Sequence, residues 1–451
     1  MAIAFRLGSH FPDRARRRAL LALALPIIGG MASQNILNLV DIAMVGRLGT
    51  TALAATGLGS FANWLSMAFI LGLATGVQAI CARRVGEGAH GEIAVPLNGG
   101  LILAAALGVP VTVLMISFAP EVLAWLNPDP EVVREATPYL QVRLLALVFV
   151  GMNFSFRGYW SAVHRTGLYL TTLLIMHAVN IFLNWVLIFG KLGAPALGVT
   201  GAGLATSLSV VLGTCIYFGL AIRHAWHEGF LHRLPSRNTL TRQLRLSLPA
   251  SIQQFFFAAG MMALLVIIGH IGTAELAAAN VLMTLGLVII LPAIALGIAT
   301  ATLVGNALGR GDVDDAVEWG WNAALFTGLI GGLMGLLVIL FSRPILALFL
   351  IDPEALALAR PALMVSGLVI GLDAAGLVLM HALLGAGASA QVMKISLIAQ
   401  WLCFLPLAWL CGPVAGGGLL AVWLLQAAYR VGQGACFAMS WHRRGWQHIR
   451  L

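Results

Sequence analysis

The chain runs to 451 residues, 60% of them hydrophobic and only 10% charged. Soluble globular domains carry about 25% charged residues, so a water-soluble fold is excluded. Apolar runs of spanning length recur along the whole chain and predict an all-α polytopic membrane protein. The formal charge of +9 lies in short clusters, and the five cysteines sit in or beside apolar runs without metal-ligand spacing. Neither a nucleic-acid partner, a metal centre nor a disulfide framework is expected.

At the N-terminus, 14-RARRRALLALAL-25 has the charge-then-apolar pattern of a secretory signal. The apolar stretch continues past signal length and many spans follow, so the basic group reads as a topology determinant. Spanning segments are predicted at 20–46, 53–80, 97–118, 137–161, 167–190 and 201–222, then at 246–269, 276–302, 319–341, 361–385, 392–412 and 417–440. These twelve helices form two six-helix lobes, residues 1–222 and 246–451, joined by a basic, histidine-bearing linker at 223–245 that Pro235 punctuates. Of the 26 Lys and Arg residues, nineteen fall with the tails, Arg6 and Arg450 among them, six fall on the opposite side, and Arg430 is left inside a span. That bias places both termini in the cytoplasm.

The first span carries the stretch 33-SQNILNLVDIAMVGRLG-49. An ionised carboxylate there costs roughly 2.5–3.5 kcal/mol on insertion scales, so Asp41 needs a partner, a proton or a job. Gln34, Asn38 and Asp41 share one helix face, a polar stripe that should point into the protein. Pro26, upstream on the same helix, removes one hydrogen bond and makes either a hinge or a fixed kink. Span five places His177, Asn180 and Asn184 on one face. The two asparagines can offer oxygens to a cation or hydrogen bonds to Asp41, or serve as interhelical contacts alone. Thr206 and Ser207 add hydroxyls in span six.

The halves repeat. A shift of 223 positions lays 45-VGRLGTTALAATG-57 on 268-IGHIGTAELAAAN-280 and Leu25-Pro26 on Leu248-Pro249. Six spans per half make the repeat parallel, an arrangement found in carriers. The acids do not repeat: Asp41 aligns with Leu264, and Asp373 with Val150. Asp373 is the second acid well inside a span, in an apolar helix with His381 two turns away. Gln253, Gln254, Asn280, Gln426, Tyr429, Arg430 and Gln433 supply further polar points in that half. His177 and His381 read as core or pore histidines before metal ligands. No phosphate loop, zinc-protease motif or nucleophile elbow is present, so the chain is not read as an enzyme and an ion gradient must supply the energy.

Taken together, 25-LP-26, 40-VDIAMVGRLG-49, 71-LGLATGVQA-79, 180-NIFLNWVLIFGKLGAPALGVTGAGLAT-206 and 371-GLDAAGLVLMHALLGAG-387 resemble the multidrug and toxic compound extrusion family over essentially the full chain. The resemblance implies two six-helix lobes around a central cavity, exchanging protons or sodium ions for cytoplasmic organic cations. It matches Asp41 to the family's first-helix acid and Asp373 to its tenth-helix acid. The stretch around Asn180 and Asn184 looks most like the sodium-linked bacterial branch, whose helix-seven glutamate is replaced here by 253-QQFFF-257, so both coupling ions stay open. The absence of a second carboxylate near Asp41 favours protons. The expected protein is a monomeric antiporter of the bacterial inner membrane with no cofactor beyond H+ or Na+. Gln34, Asn38, Asp41, Asn180, Asn184 and Thr206 form its cation or protonation site, and Asp373, His381, Gln253 and Gln254 a second. The competing reading, a lipid-linked oligosaccharide flippase on a related scaffold, would call for a cluster of cationic side chains that the spans lack.

Overall fold

The computed structural model describes residues 12–350, 352–449 and 451; Arg6 and Arg450 of the charge count lie outside them. Every regular element among the described residues is a helix: α1 Arg14–Gly46, α2 Thr50–Leu71, α3 Leu73–Glu87, α4 Val95–Ser117, α5 Ala119–Leu126, α6 Pro130–Leu145, α7 Leu147–Ala162, α8 Thr166–Phe189 and α9 Gly198–Ala225, then α10 Arg237–Gly269, α11 Thr273–Gly309, α12 Val313–Leu340, α13 Ser342–Ala347, α14 Pro353–Gly385, α15 Ser389–Leu397, α16 Leu405–Trp409 and α17 Gly418–His442. Among the described residues nine stretches are long and apolar enough to cross a membrane unaided, and the bent pairs α2/α3 and α6/α7 raise the number to eleven. The 25-residue α17, made more polar by Arg430 and two glutamines, completes the twelve expected spans.

Several helices run past their apolar segments: α1 begins at Arg14 where the hydropathy predicts 20, and α11 continues to Gly309 where it predicts 302. Hydropathy marks only the most apolar part, whereas the hydrogen-bonded ladder continues beyond it, in α11 through the buried residues Leu303 to Leu308. The bends were not legible either. At Gly72 the chain turns between α2 and α3, and its amide is caught by Ser251 Oγ of α10 at 3.2 Å. A Cβ at Gly72 would collide with the backbone oxygen of Ser247, so only glycine permits this approach.

The helices group into two compact units, Leu25–Ile252 and Met1–Ala24 with Gln253–Leu451. This grouping differs from the expected lobes at 1–222 and 246–451. Each of α1 and α10 changes unit within its own length, and the 223–245 segment belongs to the first unit. The reason lies in side chains that the linker composition concealed. Asn98 of α4 donates to the carbonyls of Gly229 and Arg233 at 2.8 and 2.9 Å and accepts from the Leu231 amide at 3.1 Å. Glu228 caps the Gly91 amide at 3.1 Å. Phe230 is fully buried, with Phe156 and Phe218 at centroid distances of 6.1 and 5.9 Å. The segment is a docked part of the unit rather than a tether.

In the second unit, small residues set the helix contacts, as close membrane packing requires. Gly335 and Gly367 bring α12 onto α14, and a Cβ at Gly376 would lie 2.6 Å from Gly434 Cα of α17. The first turns of α1 join this unit through Arg16, which pairs with Asp315 at 2.7 Å and Glu318 at 2.8 Å and lies over the Trp319 ring at 4.8 Å. The stretch Ser389–Val414 contains two π-helical segments, Ile398–Phe404 and Leu410–Val414. The nearby Pro406 and Pro413 each remove a donor from the ordinary ladder. Gln400 and Trp401 of this stretch donate to the Phe257 and Phe256 carbonyls of α10 at 3.2 and 3.0 Å.

Removing the Asn98 side chain deletes three buried hydrogen bonds, each worth on the order of 1 kcal/mol. Asn98→Ala should therefore expose the 229–236 segment to limited proteolysis while the rest of the chain resists. Unchanged cleavage there would show that Phe230 and the Glu228 and Arg233 contacts suffice to hold it.

Candidate functional site

Asp41 lies on α1 in the Leu25–Ile252 unit, and α8 and α9 of that unit bring the predicted partners to it. Asn184, fully buried, donates to Asp41 Oδ1 at 2.6 Å. Asn180, one turn earlier on α8 and 1% exposed, is best satisfied with its amide nitrogen donating to Asp41 Oδ1 at 3.2 Å and its oxygen accepting from Thr206 Oγ1 at 3.1 Å. Two amides thus converge on one carboxylate oxygen, and a hydroxyl orients one of the amides. The i, i+4 spacing of Asn180 and Asn184 makes this possible, since it stacks both side chains on one face. Asn184 Oδ1 is buried without a hydrogen-bond partner. It is an acceptor beside the carboxylate, available to a proton on Asp41 or to a cation. Among the described residues, Asp41 forms no ion pair.

The rest of the α1 stripe belongs to a second chain of contacts. Gln34 donates to Asn38 Oδ1 at 3.2 Å, so its own oxygen is free to accept from His177 Nε2, also at 3.2 Å. That fixes the imidazole as the Nε2–H tautomer, with Nδ1 accepting from the Ser33 hydroxyl at 2.6 Å. His177 is therefore a bridge between α8 and α1. Ser33 was not singled out by the sequence, although it precedes Gln34 in the same stretch.

The second-unit residues are arranged differently from expectation. Asp373 of α14 is not alone: Arg430 of α17 approaches its Oδ1 at 2.9 Å and its Oδ2 at 3.0 Å. His381 turns its Nδ1 to the Leu377 carbonyl at 2.9 Å and packs against Gly297 of α11. Gln253 is buried and Gln254 exposed, and among the described residues neither is hydrogen-bonded to the pair. The missed partner had left a signal. Arg430 is the basic residue deepest within a span of that half and Asp373 the one acid well inside a span there, and charges in hydrocarbon find each other.

No group of three or more His, Cys, Asp or Glu side chains among the described residues is placed to hold a metal ion. The arrangement presents an amide-bound carboxylate at Asp41 and a charge-neutral pair at Asp373. Breaking a buried ion pair by deleting one member costs about 3–5 kcal/mol, whereas replacing both by neutral groups costs far less. Arg430→Ala should thus lower the thermal midpoint of the detergent-solubilised protein more than the double change Asp373→Asn/Arg430→Gln. Equal midpoints would reduce the pair to a surface-like contact.

Comparison with known proteins places these features in context. The MatE family model matches residues 26–186 and again residues 249–410, so its two copies fall on the two halves of the sequence repeat. A probable multidrug resistance protein NorM of Thermotoga maritima is 26% identical over 416 residues, covering 90% of this chain and 88% of its own. Another NorM, from Mesorhizobium japonicum, is 28% identical over 458 residues, covering 97% and 96%. Among solved structures, a MATE transporter in the bent conformation matches with a TM-score of 0.88 at 23% identity, covering 95% of both chains. The D35N mutant of the Vibrio cholerae MATE transporter VcmN matches with a TM-score of 0.88 at 18% identity, covering 96% of this chain and 99% of its own.

Proposed function

The chain belongs to the MatE family, and we propose that it is an ion-coupled multidrug exporter that exchanges external protons or sodium ions for cytoplasmic organic cations by alternating access. The observation that carries this reading is the Asp41 site: a carboxylate inside a span, held by two amides and, among the described residues, in no ion pair, with the charge of Arg143 on α6 acting on it only from beyond contact. Such a group binds one positive charge and lets it go without breaking an ion pair. The names of the NorM relatives support the multidrug part. Protons are the favoured ion, because the site offers one carboxylate and neutral oxygens, a low charge for sodium. The protein acts as a monomer in a bacterial inner membrane with both termini cytoplasmic. It needs no resident cofactor. A flippase for a pyrophosphate-linked lipid is disfavoured, since the one arginine of the α17 span is already neutralised by Asp373.

The deciding experiment follows a fluorescent organic cation in inverted vesicles under proton and sodium gradients imposed separately. Efflux should follow the pH gradient, and Asp41→Asn should abolish it, because an amide neither takes up the proton nor neutralises an ion. Transport that requires sodium and ignores the pH gradient would falsify the proton assignment. Parental efflux by Asp41→Asn would remove the site altogether.

Pro26 stands two residues beyond the point where α1 passes from one compact unit to the other. It lacks the amide proton that would tie this turn together, which supports its role as the hinge of the transport cycle. Pro26→Ala should slow efflux several-fold while drug binding stays near the parental level. Equal rates would make the proline a packing residue.

A further inference from the structure

We infer that Arg430 is the resident counter-cation of Asp373 and withdraws this acid from ion coupling, so that Asp41 alone carries the coupling ion and one ion moves per transport cycle. The inference rests on the exporter reading above and adds its stoichiometry.

The two intramembrane acids meet opposite conditions. A coupling carboxylate must accept a cation in one state and release it in another, with both states of comparable free energy. Asp41 meets this requirement. Its donors are the neutral amides of Asn184 and Asn180, and the unpaired Asn184 Oδ1 stands ready to accept when a proton or cation arrives.

Asp373 does not meet it. Both of its oxygens lie on Arg430 Nη2, at 2.9 and 3.0 Å, and the two side chains are only 15% and 21% exposed. Arginine stays charged at any pH a protein meets. A second cation arriving at Asp373 would therefore leave a net positive group inside a span, whereas the existing pair is neutral.

The two helices also close up beside the pair. Gly376 and Gly434 lie three and four residues beyond Asp373 and Arg430, the next turn of their respective helices. There α14 and α17 approach so closely that a Cβ on Gly376 would sit 2.6 Å from Gly434 Cα. Tyr429, the neighbour of Arg430 in sequence, stacks on Phe404 at 4.9 Å. The pair is pinned from both helices.

The test counts coupled ions in proteoliposomes with the membrane potential clamped at zero, using ethidium as the transported monocation. A tenfold gradient of the driving ion then balances roughly a tenfold ethidium gradient if one ion moves per ethidium, and roughly a hundredfold gradient if two move. The parent should settle near tenfold, and Asp41→Asn should build no gradient. Arg430→Gln frees Asp373 to take up an ion and should move the balance toward a hundredfold. Asp373→Asn/Arg430→Gln should return it to tenfold. A parent balancing near a hundredfold, or an Asp41→Asn variant that still concentrates ethidium, would overturn the inference; both measurements stand even if Arg430→Gln fails to fold. An Arg430→Gln variant that transports but stays at tenfold would also overturn it. A parent that builds no ethidium gradient under either ion would defeat the exporter reading itself, a result distinct from the wrong ratio.

Discussion

The cost of an uncompensated charge in hydrocarbon is the constraint on which the rest of this structure depends. Each half of the chain places one carboxylate well inside a span, and each is compensated by different means. Near Asp41 the direct contacts are dipolar, with the amides of α8 supplying the donors and Thr206 holding one amide in orientation, and the charge of Arg143 adds to them from beyond contact. Near Asp373 the compensation is ionic, and Arg430 supplies a full opposite charge. Dipoles stabilise a carboxylate without cancelling its charge, so the site keeps an appetite for a cation. A salt bridge cancels the charge and removes that appetite. The same residue type thus meets amides in one unit and an arginine in the other.

Much of the first site was legible before any coordinates. The stripe Gln34, Asn38, Asp41 and the face Asn180, Asn184 each follow from helical periodicity, and polar groups in spans must meet one another. Periodicity does not report which members of a stripe share a partner. Gln34 and Asn38 belong with His177 and Ser33, and Asp41 belongs with the asparagines. Three features were hidden for a common reason, that they depend on contacts distant in sequence. These are the turn at Gly72, which exists because Ser251 accepts its amide, the docking of the 223–245 segment on Asn98, and the pairing of Arg430 with Asp373. The π-helical stretches are hidden differently, because their prolines announce a defect without saying which ladder replaces the lost one.

Duplication explains why a composition so uniform still produces two unlike units. Both halves inherited the helix order and the loop turns, as the matched 85-VGEG-88 and 308-LGRG-311 show. Neither inherited the other's acid. Once the scaffold had two equivalent sets of interior positions, one set was free to hold a neutral pair while the other held an exchangeable charge.

The first helix of each half carries a further consequence of that ancestry. The opening turns of α1 are held by the acidic cluster Asp315 and Glu318 through Arg16, and the remainder of α1 carries Asp41. In α10, Ser251 reaches Gly72 of the first unit, whereas the later Phe256 and Phe257 carbonyls are bound by Trp401 and Gln400 of the second. The two helices therefore serve both units, each changing allegiance within a turn or so of its proline, Pro26 or Pro249. A proline lacks one ladder bond, so the helix bends there at lower cost than elsewhere along its length. In α1 that turn lies on the same rod as Asp41, about four turns away.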